Sequence, residues 1–154
     1  MYYPKTVKIV NLMSFKDDKF TFNNNNAVMI FGNNLSDEGQ QSNGSGKSAL
    51  LEAITIALIS RPLRPIAVKD MIRNGQDYLM VELVLQDAQS KDNLKISRKI
   101  FAKNKSAEVK IYNNSTENKK LSSVAEKDKY ILNQIAITRE DMLNYYFISK
   151  DKYI

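Results

Sequence analysis

The sequence predicts an α/β fold, a mixed sheet around one central helix with an antiparallel hairpin layer from residues 81 to 112. Three observations predict it. The continuous apolar run Ala27 to Phe31 has the pattern of a buried strand. Leu50, Leu51, Ile54, Ala57 and Leu58 recur at helical spacing after a glycine-containing loop. Val81, Leu83 and Leu85 then alternate along a strand that pairs with a second, Leu94 to Phe101.

Taken in order, Lys5 to Met13 reads as a first strand, with Val7 and Ile9 on one side and Lys8, Val10 and Leu12 on the other. Lys19 to Phe22 reads as a short second strand after an Asp17-Asp18 turn, and the four asparagines at 23 to 26 as a further turn. The Gly/Asn/Ser/Gln-rich stretch from Gly32 to Gly46 is a loop. The helix is expected from about Lys47 to Ile59, ended by Pro62 and Pro65. Val68 to Arg73 reads as a short helix or turn closed by Asn74-Gly75. Glu108 to Tyr112 is a further strand and Asn113 to Lys120 a loop. Ser122 or Ser123 caps a helix to about Gln134, and Thr138 with Asp141 caps a last one toward Phe147.

The chain has 154 residues, 43% hydrophobic and 26% charged, the balance of a globular protein with room for one real core. No apolar run approaches the roughly 18 residues of a membrane span, and the first residues lack the apolar stretch of a secretory signal. A cytoplasmic location is therefore expected. There is no cysteine and no histidine. Disulfides, thiolate zinc sites, a cysteine nucleophile and histidine acid–base chemistry are excluded. The net charge of +6 favours phosphate-rich partners, although the basic residues are spread along the chain.

The chemistry is carried by Asn43-Gly44-Ser45-Gly46-Lys47-Ser48. Gly-Lys-Ser at the start of a helix that follows a buried strand is the second half of the phosphate-binding P-loop. A helix N-terminus leaves N–H groups unpaired and gathers partial positive charge. Gly44 and Gly46 let the backbone close around a phosphate. Lys47 places a point charge near the β- and γ-phosphates, and the Ser48 hydroxyl can ligate magnesium. ATP with Mg2+ is the expected ligand. Gln41 stands where the pattern's first glycine belongs; Gly32 or Gly39 is expected to supply that turn across an inserted loop, Asn33 to Gln41.

The segment Asn43 to Ile54 resembles the P-loop and first helix of the SMC and SbcC-type ATPases. Further stretches agree in order: Val7 to Phe15 with the family's first strand and turn, Met71 to Gly75 followed by Val81-Glu82-Leu83, Leu94 to Ile100, and Met142 to Phe147 at the Q-loop. The resemblance covers nearly the whole chain. It implies the N-terminal lobe of an ABC-type ATPase head over residues 1–154, with the coiled coil and C-terminal lobe absent. It also implies as partners that C-terminal lobe and coiled coil, a second head in a homodimer, DNA and a nuclease subunit, in repair, recombination or defence.

Residue by residue, the resemblance adds Ala49 to the P-loop and brings the turn Ser14-Phe15-Lys16 near the nucleotide, with Lys16 facing phosphate. Asn33 and Asn34 are candidates for ribose or phosphate contacts, and Asn144 for the metal beside Ser48. Arg98 reads as a structural salt-bridge residue, and Arg61 and Arg64 as favourable charge beyond a helix C-terminus. No apolar strand ends in Asp-Glu; Val84-Leu85-Gln86-Asp87 is too short and polar. Hydrolysis by this chain alone is therefore not expected. Two other readings fit the P-loop itself: a complete small kinase or NTPase, and a non-catalytic module that grips phosphate or DNA.

Overall fold

The computed structural model describes residues 2–22 and 47–135; of Lys47 and Ser48 it describes the backbone only. The expected strand Ala27 to Phe31 and the expected helix from Thr138 lie outside the described residues.

Six strands form one sheet in the order β2-β1-β3-β4-β5-β6. They are β1 (Tyr2–Leu12), β2 (Phe15–Thr21), β3 (Tyr78–Asp87), β4 (Asn93–Phe101), β5 (Glu108–Asn113) and β6 (Thr116–Glu117). Every pairing among the described residues is antiparallel. The expected mixed sheet is thus not seen among these strands. The 81–112 hairpin is not a separate layer either: β3 pairs directly with β1 through Ile9↔Val81 and Val7↔Leu83. Alternation fixes which residues share a face, but it says nothing about which distant strand supplies the neighbour.

The two faces differ sharply. Ile9, Val81, Arg98 and Val109 lie in one row across four strands, and Val7, Leu83, Ile96 and Ile111 in the next; all eight are buried. The opposite face carries the row Lys19, Lys8, Glu82, Ser97 and Lys110.

Two departures from expectation are local. β2 begins at Phe15 and includes Asp17 and Asp18, which pair with Val10 and Ile9. The turn is instead Met13-Ser14. β2 is the outermost strand among the described residues, a position that tolerates the charges of Lys16-Asp17-Asp18-Lys19 better than an inner strand would. Within the expected 113–120 loop, Thr116 and Glu117 form β6, closed on β5 by the left-handed pair Asn114 and Ser115.

Helix α1 (Lys47–Ile59) packs on the buried face. Its apolar stripe continues almost all round, so Ala49, Leu50, Ala53, Ile54, Ile56, Ala57, Leu58 and Ile59 are buried, with Leu51 the exposed position. Ser60, at φ 63°, ends it, with its N–H donating to the Ile56 carbonyl. A single 3-10 turn, Val68–Met71, follows. Helix α2 (Val124–Ile135) adds Ile131 to the core. Ser123 is its cap: the Glu126 N–H donates to Ser123 Oγ at 3.1 Å, and the Ser122 N–H donates to the Glu126 carboxylate at 2.9 Å.

Candidate functional site

The candidate site begins where α1 begins. The helix opens at Lys47, directly after Ser45-Gly46 in sequence, and its first turn carries no acidic residue. Acidic residues are favoured in a helix's first turn because they offset its positive end. The first turn of α1 has no such residue to offset its positive end. Ala49 and Leu50, in the same turn, are buried.

The remaining predicted residues divide clearly. Asn43, Gly44, Ser45, Gly46, Asn33, Asn34 and Asn144 lie outside the described residues, as do the side chains of Lys47 and Ser48. Lys16 is described. It lies not in the turn but on edge strand β2, exposed, one residue past the Leu12↔Phe15 pair. Among the described residues no group of three or more acidic or histidine side chains could hold a metal ion.

The segment beyond α1 is tied back to it. Glu52, buried among apolar neighbours, accepts from the Leu63 N–H and from Arg64 Nε at 2.9 Å. Arg64 is thus an ion-pair partner inside this connection, not a charge acting on the helix end alone. Sequence reasoning missed Glu52; the signal available was a carboxylate within an otherwise apolar helix.

Arg98 is the salt-bridge residue expected. It is fully buried on β4, and its Nη2 donates to Asp128 Oδ1 at 2.9 Å. It also donates to the Ala57 carbonyl through Nε (3.3 Å) and Nη2 (3.0 Å). Burial draws its pKa below the ordinary arginine value, while Asp128 opposes that shift.

Asp87, at the end of the short run Val84-Leu85-Gln86-Asp87, is a turn residue. Its Oδ1 accepts from the Gln89 N–H (2.9 Å) and the Ser90 N–H (3.0 Å). Those donors, Ser90 first, hold its pKa at about 2. The carboxylate closes the β3–β4 connection, as its local sequence requires. Among the described residues no helix is long and apolar enough to cross a membrane.

Comparison with known proteins agrees with this architecture. No curated protein matches the chain. Solved structures do. The recombination mediator protein RecF-ATP in the RecFOR pathway is similar at a TM-score of 0.57 and 23% identity over 77% of this chain. RecF-ATPrS in the same pathway is similar at 0.52 and 22% over 77%. The chain spans 28% of the length of those RecF chains. The likeness is one of fold: a RecF-like P-loop NTPase fold with a mostly antiparallel sheet and few helices. The profile of the AAA domain family matches residues 6–152, nearly the whole sequence. The chain belongs to the AAA domain family.

Proposed function

We propose that this chain is the ATP-binding N-terminal lobe of an ABC-type ATPase head of the SMC/SbcC and RecF kind, serving DNA recombination or repair. The observation that carries the reading is the seat of α1. A helix preceded by Asn43-Gly44-Ser45-Gly46 opens at Lys47 with no acidic residue in its first turn, packed under an antiparallel sheet. That arrangement suits a triphosphate at the helix N-terminus. RecF, whose fold this chain shares, is described with ATP.

In this reading the backbone of residues 43–48 cradles phosphate, Lys47 neutralises the β- and γ-phosphates, and Ser48 completes the coordination of Mg2+. Asn33, Asn34 and Asn144 remain candidates for further contacts to the nucleotide or metal. Lys16, on the exposed edge strand, is the weakest of the proposed phosphate contacts. When bound, Mg2+ would be held in part by the Ser48 hydroxyl and would offset phosphate charge. Hydrolysis further needs a carboxylate that positions water. The described Asp87 does not serve, because its carboxylate closes a turn. The C-terminal lobe and a second head are proposed to supply what is needed, with DNA and a nuclease subunit as partners of the assembled protein.

The test is calorimetry of Mg-ATP binding beside a phosphate-release assay, for the wild type and Lys47→Ala. Binding that disappears in Lys47→Ala, with no turnover by either protein, is the expected result. Turnover by the wild-type chain alone would overturn the half-head reading in favour of a complete enzyme. DNA binding that survives Lys47→Ala and ignores ATP would favour a non-catalytic module.

A further inference from the structure

Helix α1 has no basic residue in its last turn, yet a cation sits at that end. Arg98 rises from β4, paired on both sides in mid-sheet through Val81 and Val109. Two of its nitrogens donate to the carbonyl oxygen of Ala57, at 3.0 and 3.3 Å. Last-turn carbonyls have no intrahelical donor, and the negative end of the helix dipole gathers there. The guanidinium answers both needs, and its Nη2 also reaches Asp128 on α2. One side chain therefore joins the sheet, α1 and α2.

The arrangement is not the one that stability alone would select. Arg98 Nη1 is buried with no acceptor among the described residues, and an unpaired buried donor is destabilising. Apolar packing commonly serves as well as a buried ion pair. What the guanidinium offers instead is direction. Two donors on one oxygen, with a third bond to a carboxylate, restrict how α1 slides or rolls over the sheet.

We propose that Arg98 is a positioning residue that sets α1 from its far end, and that Asp128 makes α2 the element through which that setting is changed. The proposal rests on the nucleotide reading in that Lys47 and Ser48 are what becomes positioned. Ala57 lies ten residues from Lys47, about 15 Å along a stiff helix axis, so a shift at one end is carried to the other. The Asp128 side chain is 37% exposed, and it is the end of the strut that solvent or a docking partner reaches. A partner that moves α2 or neutralises Asp128 would change nucleotide affinity, and nucleotide would change that partner's affinity by the same factor.

The experiment measures amide exchange across residues 53–59 and Mg-ATP affinity in the full 154-residue chain. The variants are Asp128→Asn, Arg98→Lys and Tyr130→Phe. The third is the control: it removes another polar tie of α2, in which the Tyr130 hydroxyl accepts from Asn113 Nδ2 at 3.0 Å, and it leaves the Arg98 bonds to Ala57 and Asp128 in place. Asp128→Asn is expected to speed exchange at the end of α1 and weaken Mg-ATP about fivefold or more. Arg98→Lys keeps the charge but not the planar fork, and should behave alike. Tyr130→Phe should do neither. Equal effects from Asp128→Asn and Tyr130→Phe, or unchanged α1 exchange in Asp128→Asn, overturn the proposal. If the wild type binds no Mg-ATP while Asp128→Asn still loosens α1, the strut stands and the nucleotide assignment falls.

Discussion

The guanidinium of Arg73 donates to the carbonyl of Ser14 at 2.8 Å and so closes the β1–β2 turn from outside the hairpin. Two more bonds fix the same turn: the Arg73 N–H to the Asn11 carbonyl and the Met13 N–H to the Met71 carbonyl, both 2.8 Å. They hold two non-glycine residues in left-handed backbone, Asn11 at φ 56° and Met13 at φ 51°. Asparagine adopts that region readily; methionine does so at a cost of about 1–2 kcal/mol. Met13→Gly should relieve that cost, offset by roughly 0.5–1 kcal/mol of added freedom in the unfolded chain. The expected net is a gain of up to about 1 kcal/mol in urea unfolding. A clear loss would mean that the Met13 side chain, rather than its backbone, supports the turn.

Glu52 and Arg64 should respond unequally to truncation. Glu52→Ala strips the half-buried Leu63 N–H of its acceptor as well as Arg64 of its partner, an expected loss of about 2 kcal/mol. Arg64→Ala leaves Glu52 bonded to the Leu63 N–H, and the Arg64 side chain is one-third exposed. Its expected loss is about 1 kcal/mol, near the value for partly solvated ion pairs. Thermal unfolding of the two variants side by side checks the order.

Acid should find Asp87 late. Its folded pKa of about 2 lies below the ordinary value of 3.8, mainly through the Ser90 and Gln89 N–H donors. A carboxylate depressed on folding stabilises fully above its unfolded pKa, and that contribution fades as pH falls through the folded value. The window therefore runs from about pH 4 down to about pH 2. An NMR titration of the Asp87 carboxyl should show a midpoint near 2. Asp87→Asn should flatten the pH dependence of stability in that window alone.

At the start of α2 the two serines divide their tasks. Ser123 Oγ accepts from the Glu126 N–H, whereas Ser122 donates to the Glu126 carboxylate through both its N–H and its hydroxyl. Those two Ser122 bonds hold the Glu126 pKa below the usual glutamate value. Ser123→Ala should cost about 1 kcal/mol, the typical value of an N-cap. Ser122→Ala, which keeps the backbone bond, should cost less and should raise the Glu126 pKa. Urea unfolding and a carboxyl titration separate the two.

What could be read from the sequence was what is local. The bounds of α1 follow from apolar spacing and the prolines beyond it, and β3 and β4 from strict alternation that ends at polar turns. The P-loop motif at 43–48 stands out in the sequence because it occupies six consecutive residues, of which only the helix start at Lys47 and Ser48 lies among the described ones. β2 was placed four residues late because Asp17-Asp18 has turn composition, and only the edge position of the strand explains charge there. The Arg98 partner Asp128 is 30 residues away, with no local pattern that marks it. The insertion of β1 between β2 and β3 was likewise hidden, since pairing across 60 or more residues leaves no periodic trace.

That strand order also bears on how the chain acquires its shape. β3 through β6 are joined by short connections and pair with their sequence neighbours, so their contacts close small loops. β1 meets β3 only after a stretch of chain that includes the whole of α1 has been gathered in. Small loops close at lower entropic cost than large ones. The meander from Tyr78 to Glu117 is therefore the expected nucleus, and the β1–β2 hairpin its late addition. In that sequence of events α1 arrives at a surface already formed, and the orientation of its N-terminal end is decided last.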